Sequence, residues 1–176
     1  MTDSGTTSQA VLAPGTYRID QDQSQVRYTG KHMFGLGTVH ATFTIEQGQI
    51  EVADPIESSS ATVIVDATSF HSDSARRDKD VRSAGLLDVA NHPRITFASH
   101  ELRRSGDGWL AIGTLTAHGR TVPAHVLFDQ VRQEARDIRM HGRAEHLDRT
   151  TFGITGSRGF AGRHLDIDLD VVAVAV

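Results

Sequence analysis

Residues 38–46 read Thr-Val-His-Ala-Thr-Phe-Thr-Ile-Glu, and every second residue in this stretch is apolar. On an extended chain, successive side chains point to opposite faces, so all the apolar residues of the stretch share one face. They are Val39, Ala41, Phe43 and Ile45. This period is typical of a β-strand in an antiparallel sheet with one face turned away from water.

The same alternation continues along the chain in about eight or nine segments separated by short turns. It is clearest in residues 26–32, 60–70, 109–115 and 165–171. Closing such a meander into a barrel removes the free edges that an open sheet would expose. The sequence therefore predicts an all-β fold, an eight-stranded antiparallel up-and-down barrel of the lipocalin-like type. A β-sandwich is the alternative.

Three glycine-containing segments predict where strands turn. Gly48 follows the first alternating stretch and precedes Gln-Ile-Glu-Val, which predicts a hairpin turn at this position. His118-Gly119-Arg120-Thr121 predicts a second tight turn, and Ser105-Gly106-Asp107-Gly108 predicts a third. Each turn would connect neighbouring antiparallel strands.

Only one stretch departs from the strand period. Residues 77–89 read Arg-Asp-Lys-Asp-Val-Arg-Ser-Ala-Gly-Leu-Leu-Asp-Val, a charged run that changes abruptly into an apolar one. We predict one short helix over residues 75–84, with Asp73 or Ser74 as its N-cap and Gly85 just past its end. A helix between two strands of a barrel crosses one end, so this stretch is predicted to cover the lumen.

The length of 176 residues predicts a single folded domain. Residues 1–13 are polar and rich in Ser and Thr, so we expect a flexible tail there and the barrel over residues 14–176. The amino terminus has no apolar segment typical of a signal peptide, and no run reaches the roughly 18 apolar residues of a membrane span. We therefore expect a soluble, cytoplasmic protein without stable membrane insertion.

Composition excludes several function classes. The chain has no cysteine, which excludes disulfides, thiol nucleophiles and Cys-ligated zinc. Its net charge of −4 does not favour nucleic-acid binding. It has no Gly-x-Ser-x-Gly elbow and no phosphate-binding P-loop, so we expect a protein that is not an enzyme. Ten histidines are present, but none forms His-Glu-x-x-His or a His-x-His pair, so we predict no metal and no cofactor.

Many of the side chains predicted to point inward are small. A closed barrel lined by small and medium apolar residues leaves space in its lumen, which favours an apolar ligand cavity. The alternative is that these residues only accommodate strand curvature or bulges. The small residues in question are Gly30, Ala41, Ala67, Gly113, Gly142 and Ala144.

Several segments resemble the YceI-like, or polyisoprenoid-binding, family of barrels. They occur in the family's order and together cover about residues 16–175. The matching segments are 17–20 (YRID) with 24–28 (SQVRY) and His32, then 39–43 (VHATF), then 77–89 with Pro93, then 113–123 (GTLTAHGRTVP), and finally 147–154 (LDRTTFGI). The sequence also departs from the family pattern. The family has a glycine at Ala41, two aromatic residues at Leu86 and Leu87, and a histidine at Asp80.

The resemblance implies that the lumen binds a long-chain amphiphilic lipid, such as a polyisoprenoid, an isoprenoid quinone precursor or a fatty-acid derivative. It also implies a homodimer, as in several family members. Many relatives carry an export signal, and its absence here argues against a periplasmic lipid carrier. Whether the lipid is stored, carried or sensed is left open. The alternatives are an enzyme that acts on such a lipid with His32 or His118 as general acid/base, and a packed barrel that functions as a stress-associated interaction protein.

The predicted ligand contacts combine inward-facing strand residues with residues near the helix. Asp78 is expected to cap the helix rather than to bind the ligand. Arg149 and Phe152 are interpreted as a structural plug, with a head-group contact as the alternative. The ligand-binding candidates are Tyr28, His32, Phe43, Val65, Arg77, Leu86, Leu87, Phe97, Leu115 and Met140.

Overall fold

The described part of the protein is a closed antiparallel β-barrel with one α-helix across one end. The computed structural model describes residues 11–32, 35–157 and 161–176. Within this part of the chain the strands are β1 Gly15–Ile19, β2 Gln25–His32, β3 Gly37–Val52, β4 Ser60–His71, β5 Arg94–Ser105, β6 Gly108–Ala117, β7 Arg120–Glu134, β8 Asp137–Asp148 and β9 Ala161–Ala175. The α-helix, α1, spans Ala75–Arg82, and two short 3₁₀ helices span Ile56–Ser58 and Arg149–Phe152.

The barrel wall has eight strand positions, which we call staves. Nine strands fill them, because β1 and β2 occupy successive parts of one stave. β2 pairs with β3 from Val26–Phe43 to His32–Gly37, and β1 continues the same edge of β3 from Arg18–Gln49 onward. Both strands also pair with β9. The β3–β4 pairing completes the ring. The predicted eight-stranded barrel is confirmed, and the β-sandwich alternative is excluded.

The buried core lies against the inner face of this ring. Ile45, Phe70 and Ile138 are its largest fully buried side chains. The Phe70 ring meets the rings of Tyr28 and Phe43 edge-on, with centroids 5.5 and 5.4 Å apart, a geometry favoured by the aromatic quadrupole. Phe70 therefore joins three staves of the barrel wall.

The hairpin predicted at Gly48 is wrong. Strand β3 runs straight through this position, and Gly48 pairs with Val63 of β4. The glycine has a packing role, because a Cβ built there would lie 2.4 Å from Cδ1 of Ile19. The other two turns are confirmed: Ser105 pairs with Gly108, and Ala117 pairs with Arg120.

Helix α1 begins at the predicted place and ends early. Ser74 is the N-cap, and its side chain accepts a hydrogen bond from the backbone N–H of Arg77. The helix ends at Arg82, two residues before the predicted boundary, because Ser83 adopts an extended conformation. Gly85 therefore lies in the following turns. We call residues 83–93, which lead from the helix to β5, the lid segment.

The barrel has two different ends. The lid end carries α1, the lid segment, the β6–β7 turn and the 3₁₀ helix Arg149–Phe152. The opposite end, here the hairpin end, carries the β5–β6 and β7–β8 turns and the 3₁₀ helix Ile56–Ser58. No helix in the described ranges is long and apolar enough to cross a bilayer.

The tail predicted over residues 1–13 lies mostly outside the described residues. Of the described part, Leu12 lines the barrel cavity at the hairpin end. Both backbone polar groups of Ala13 form hydrogen bonds. Its carbonyl accepts from the Tyr17 hydroxyl at 2.6 Å, and its N–H donates to Gln133 Oε1 at 3.1 Å. Contacts with the barrel therefore extend to residue 12.

Asp78 anchors α1 to the end of β4, as expected for a structural residue. Its carboxylate is 3% exposed and accepts hydrogen bonds from the backbone N–H of Ser72 at 2.9 Å and from the Ser72 hydroxyl at 2.6 Å. Burial by itself would raise the pKa of the Asp78 carboxyl. The two hydrogen bonds from Ser72, with the positive charges of His71 and Arg82 nearby, outweigh burial and leave the pKa below its ordinary value.

Asp78→Asn is expected to lower the free energy of unfolding at pH 7 by about 2 kcal/mol, the size of a buried hydrogen bond to a charged group. Because the folded-state pKa is depressed, the stabilisation by Asp78 is complete above the ordinary pKa of 3.8 and is lost as the pH falls through the folded value. Urea unfolding between pH 7 and pH 3 should therefore show the wild type and Asp78→Asn converging in acid. Asp73→Asn, at an exposed neighbour, is the control. A stability gap independent of pH would contradict this account.

Candidate functional site

A continuous apolar cavity of about 230 Å³ occupies the barrel lumen. At the hairpin end it is lined by residues such as Val52, Ile56 and Trp109, and at the lid end by Leu87, Phe152 and Ile154. Side chains from every stave contribute to it. The cavity therefore runs the length of the barrel.

The lumen matches an extended chain better than a compact molecule. On β6 the lining residues run from Trp109 to Ala117. At the usual strand rise this is about 27 Å along the strand. With the strand tilt of small barrels it becomes about 20 Å along the axis. A long, narrow apolar ligand would fill this shape.

The small residues that leave space in the lumen are only partly the ones predicted from the sequence. Of the six small residues expected to line it, Ala144 does, and the other five are absent from the lining. Gly30 and Gly142 make room for the rings of Tyr28 and Phe128, because an added Cβ would lie 2.3 and 2.6 Å from atoms of those side chains. Space comes instead from other alanines. They are Ala61, Ala111, Ala117 and Ala124.

The remaining three small residues serve the wall itself. A Cβ on Gly113 would lie 1.9 Å from the carbonyl oxygen of Ala98, so this glycine permits close approach of β5 and β6. Ala41 and Ala67 are 5% and 1% exposed and sit in packed positions. The alternative interpretation, that small residues accommodate the strands, therefore fits Gly113, which lies beside a register shift in the β5–β6 pairing. The cavity itself is present.

The structure brings most of the predicted ligand contacts together around the lumen. Their side chains come from β2, β3, β4, the lid segment, β5, β6 and β8, so strand alternation places them on one continuous inner surface. The residues in this group are Tyr28, Phe43, Val65, Leu87, Phe97, Leu115 and Met140. Their role as ligand contacts stays a prediction.

His32 lies outside the lumen lining, although it was predicted on the same face as Tyr28. Its ring is packed over Gly37, the residue that pairs with it across β2 and β3, and a Cβ on Gly37 would lie 2.2 Å from His32 Nε2. The geometry does not support direct ligand contact by His32.

Arg77 and Leu86 also lie outside the lining. Arg77 faces back along α1, and its guanidinium donates to Asp73 at 2.8 Å. Leu86 packs against the cluster of Ala117, Phe152 and Ile154, whose members line the lid end of the lumen, but Leu86 itself is not part of the lining. Only Leu87 of the predicted Leu86–Leu87 pair reaches the lumen, so direct ligand contact by Arg77 and Leu86 is not supported.

Arg149 is the charged residue of the lining. It sits in the second 3₁₀ helix and is 7% exposed. Nε donates to the carbonyl of Gly162 at 2.8 Å, Nη1 to Ile154 at 2.8 Å and Nη2 to Ala161 at 3.0 Å. These bonds hold the start of β9 and the loop after the 3₁₀ helix together. The structural interpretation of Arg149 is correct, and the residue also presents a cation to the lid end of the lumen.

Tyr28 adds a polar atom near this cation. Burial raises the pKa of the Tyr28 hydroxyl, and the positive charge of Arg149 opposes that rise. The phenol is therefore neutral over the physiological range and able to donate a hydrogen bond. Three serines, Ser59, Ser60 and Ser99, also line the lumen, and the hydroxyls of Ser59 and Ser99 accept from the backbone N–H groups of Ala53 and Ala61. Tyr28 and Arg149 thus place a hydroxyl and a guanidinium at the lid end of a largely apolar lumen.

A further cluster at the lid end was missed by sequence reasoning. One potential ligand atom each from Asp88, His92 and His118 lies within 4.8 Å of the other two. The sequence signal is weak, because His118 is remote in the chain and only the Asp-x-x-x-His spacing of the first two residues could have indicated it.

The fold and the lumen define a class of protein, a closed eight-stranded barrel with a largely apolar interior cavity. The family model of the YceI-like domain matches residues 17–173. This chain belongs to the YceI-like family.

Relatives of similar length support this assignment. A UPF0312 protein of Pseudomonas putida is 32% identical over 187 residues, covering 94% of this chain and 95% of the relative. A UPF0312 protein of Yersinia pestis is 28% identical over 171 residues, covering 91% and 86%. The agreement extends over nearly the whole of each chain.

Solved structures share the fold. Burkholderia cenocepacia BcnA superposes with a TM-score of 0.79 at 20% identity, covering 89% of this chain and 99% of BcnA. A structure described as a polyisoprenoid binding domain from Saccharophagus degradans, implicated in plant cell wall breakdown, has a TM-score of 0.70 at 13% identity and covers 93% and 100%. At these identities the comparison establishes the barrel architecture.

Proposed function

We infer that this protein binds a long-chain amphiphilic lipid in its lumen, for storage, carriage or sensing. The observation that carries the proposal is the continuous apolar cavity with Tyr28 and Arg149 as polar groups at its lid end. Binding sites for apolar ligands combine mostly hydrophobic walls with a few placed polar groups that orient the ligand. The description of the Saccharophagus degradans relative as a polyisoprenoid binding domain supports the same ligand class.

The polar groups at the lid end set the orientation of the ligand. A head group with hydrogen-bond acceptors, such as a quinone carbonyl, a carboxylate or a phosphate, would lie beside the Tyr28 hydroxyl and the Arg149 guanidinium. The hydrocarbon chain would extend past Ala144 toward Trp109 at the hairpin end. An isoprenoid quinone precursor, a polyisoprenoid and a fatty-acid derivative all have this form.

The two alternative functions have less support. His32 and His118 are absent from the lumen lining, so an enzyme with one of them as general acid/base lacks the required geometry. A packed barrel that acts only through its surface does not account for the open lumen. Cytoplasmic location and a homodimer stay predictions from the sequence and the resemblance.

Filling the middle of the lumen tests the proposal. Ala144 lines the cavity on β8, and Glu145 beside it is exposed on the outer face. Ala144→Phe adds a ring inside the barrel, and Glu145→Phe adds the same ring outside. Protein purified from cells should yield an amphiphile on solvent extraction and mass spectrometry for the wild type and Glu145→Phe, and at least tenfold less for Ala144→Phe.

Binding in solution provides the second measurement. Delipidated protein is titrated with a polyprenyl alcohol, a polyprenyl quinone and a long-chain fatty acid, with melting curves to show that Ala144→Phe remains folded despite the cost of overpacking, about 1–3 kcal/mol. Equal binding by Ala144→Phe and Glu145→Phe, or no binding by folded wild-type protein, would overturn the proposal.

A further inference from the structure

Two segments that are distant in sequence bring two imidazoles and a carboxylate together at the lid end. Asp88 and His92 belong to the lid segment, and His118 lies in the β6–β7 turn. One ligand atom from each of the three lies within 4.8 Å of the others, and the rings of His92 and His118 have centroids 4.9 Å apart. We propose that Asp88, His92 and His118 form a binding site for a divalent transition-metal ion.

The backbone of the lid segment fixes two of the three ligands on the same side. The N–H of His92 donates to the carbonyl of Asp88 at 2.9 Å, a bond with the spacing of one helical turn. Asp88 has a left-handed φ of 49°, so this is a closed turn and not a helix, and it leaves a ligand atom of Asp88 and one of His92 within 4.8 Å of each other. Both oxygens of the Asp88 carboxylate also accept from the side-chain amide of Asn91, at 3.1 and 3.0 Å, which holds the carboxylate in one orientation.

The third ligand has its tautomer set by a backbone carbonyl. His118 Nδ1 lies 3.1 Å from the carbonyl oxygen of Phe152, and a carbonyl can only accept, so Nδ1 carries the proton. The lone pair of neutral His118 is therefore on Nε2. Metal-binding histidines commonly donate their other ring N–H to a backbone carbonyl or a carboxylate, as this one does.

The β6–β7 turn is shaped to receive His92. Gly119 has a φ of 74°, and a Cβ at this position would lie 2.9 Å from Cε1 of the His92 ring. Any larger residue would be strained in this backbone conformation and would push the His92 ring away. The glycine thus lets the lid segment approach the turn closely enough for His92 and His118 to share an ion.

The donor set indicates the class of metal. Two imidazole nitrogens and one carboxylate oxygen suit Zn²⁺, Ni²⁺, Co²⁺ or Cu²⁺, whereas Mg²⁺ and Ca²⁺ prefer oxygen ligands. Zinc at 2.0–2.1 Å from each ligand requires about 3.3 Å between ligand atoms in a tetrahedral site, which lies inside the 4.8 Å limit within which the three ligand atoms fall. All three side chains are partly exposed, which leaves the fourth position to water and gives the ion access.

Metal binding would connect the lid segment to the barrel rim. Leu87 and Ala117, the chain neighbours of Asp88 and His118, both line the lumen. An ion bound between the two segments would restrain the lid segment over this end of the cavity, independently of whether the cavity holds a ligand.

The test uses full-length protein without an affinity tag, treated with EDTA and dialysed. Isothermal titration with Zn²⁺ should show one ion per chain, and Mg²⁺ should give no heat. His92→Ala and His118→Ala should each weaken Zn²⁺ binding at least about 100-fold, and Asp88→Asn by about 10-fold. Zn²⁺ should raise the melting temperature of the wild type and slow amide hydrogen exchange in residues 83–92, with neither change in His118→Ala.

The matched control is the other histidine pair. His146 and His164 stack face to face with centroids 3.8 Å apart on the outside of the barrel. His164→Ala should leave both Zn²⁺ affinity and the exchange effect unchanged. Loss of Zn²⁺ binding in His164→Ala, or full binding in His92→Ala and His118→Ala that melt like the wild type in EDTA, would overturn the proposed site.

Discussion

Arg149→Met is expected to lower the free energy of unfolding by about 3–5 kcal/mol. The wild-type guanidinium donates to three backbone carbonyls, of Gly162, Ile154 and Ala161, at the lid end. Methionine keeps much of the side-chain volume but donates no hydrogen bond. Each buried carbonyl left without a donor costs about 1–3 kcal/mol, partly offset by the lower cost of burying an apolar side chain.

Equilibrium urea unfolding of delipidated protein measures this loss. Arg163→Met is the matched control, because Arg163 is an arginine in the same region whose own side chain is exposed and which pairs with Asp148 instead of with backbone carbonyls. It should change stability little, since exposed ion pairs contribute little. If Arg149→Met and Arg163→Met are equally stable, the three carbonyl contacts are not what holds this end of the barrel.

Phe70→Ala should cost about 3–5 kcal/mol, the usual range for removing a buried ring from a packed core. Phe70 is 2% exposed and does not line the lumen. Its ring contacts Tyr28 and Phe43 edge-on, so the substitution removes packing from three staves and leaves a new cavity inside the wall.

Phe97→Ala provides the comparison, because Phe97 borders space that already exists in the lumen. Removing its ring enlarges an existing cavity, so the loss of stability should be clearly smaller than for Phe70→Ala. Lipid binding should be weakened more by Phe97→Ala than by Phe70→Ala. Urea unfolding without lipid and titration with a polyprenyl alcohol measure the two effects. Equal losses of stability with unchanged binding in Phe97→Ala would indicate a filled lumen.

Much of the architecture could be predicted from the period of the sequence. The alternation from Val39 to Ile45 indicates a strand with one buried face. Its repetition along an antiparallel meander favours closure of the sheet into a barrel. The charged run from Arg77 to Arg82 interrupts that period and is the α-helix. These are local properties, so one sequence suffices to predict them.

The composition of the lumen was less predictable, because it depends on neighbours across the sheet. Gly30 and Ala144 look alike in an alternating pattern. The Tyr28 ring fills the space above Gly30, whereas Ala144 faces the cavity. The cluster of Asp88, His92 and His118 has the same origin, since barrel closure and not sequence spacing brings the β6–β7 turn to the lid segment.

The alternation of apolar residues along β3 changes phase near Gly48, which is why the sequence predicted a turn there. On β3 the inward-facing residues change from odd to even numbers between Ile45 and Ile50, next to a bulge against β4. The partner stave makes the matching change where it is interrupted, from Ile19 on β1 to Val26 on β2. The interruption resets the phase of the inner face, so both halves of the barrel keep apolar side chains inward.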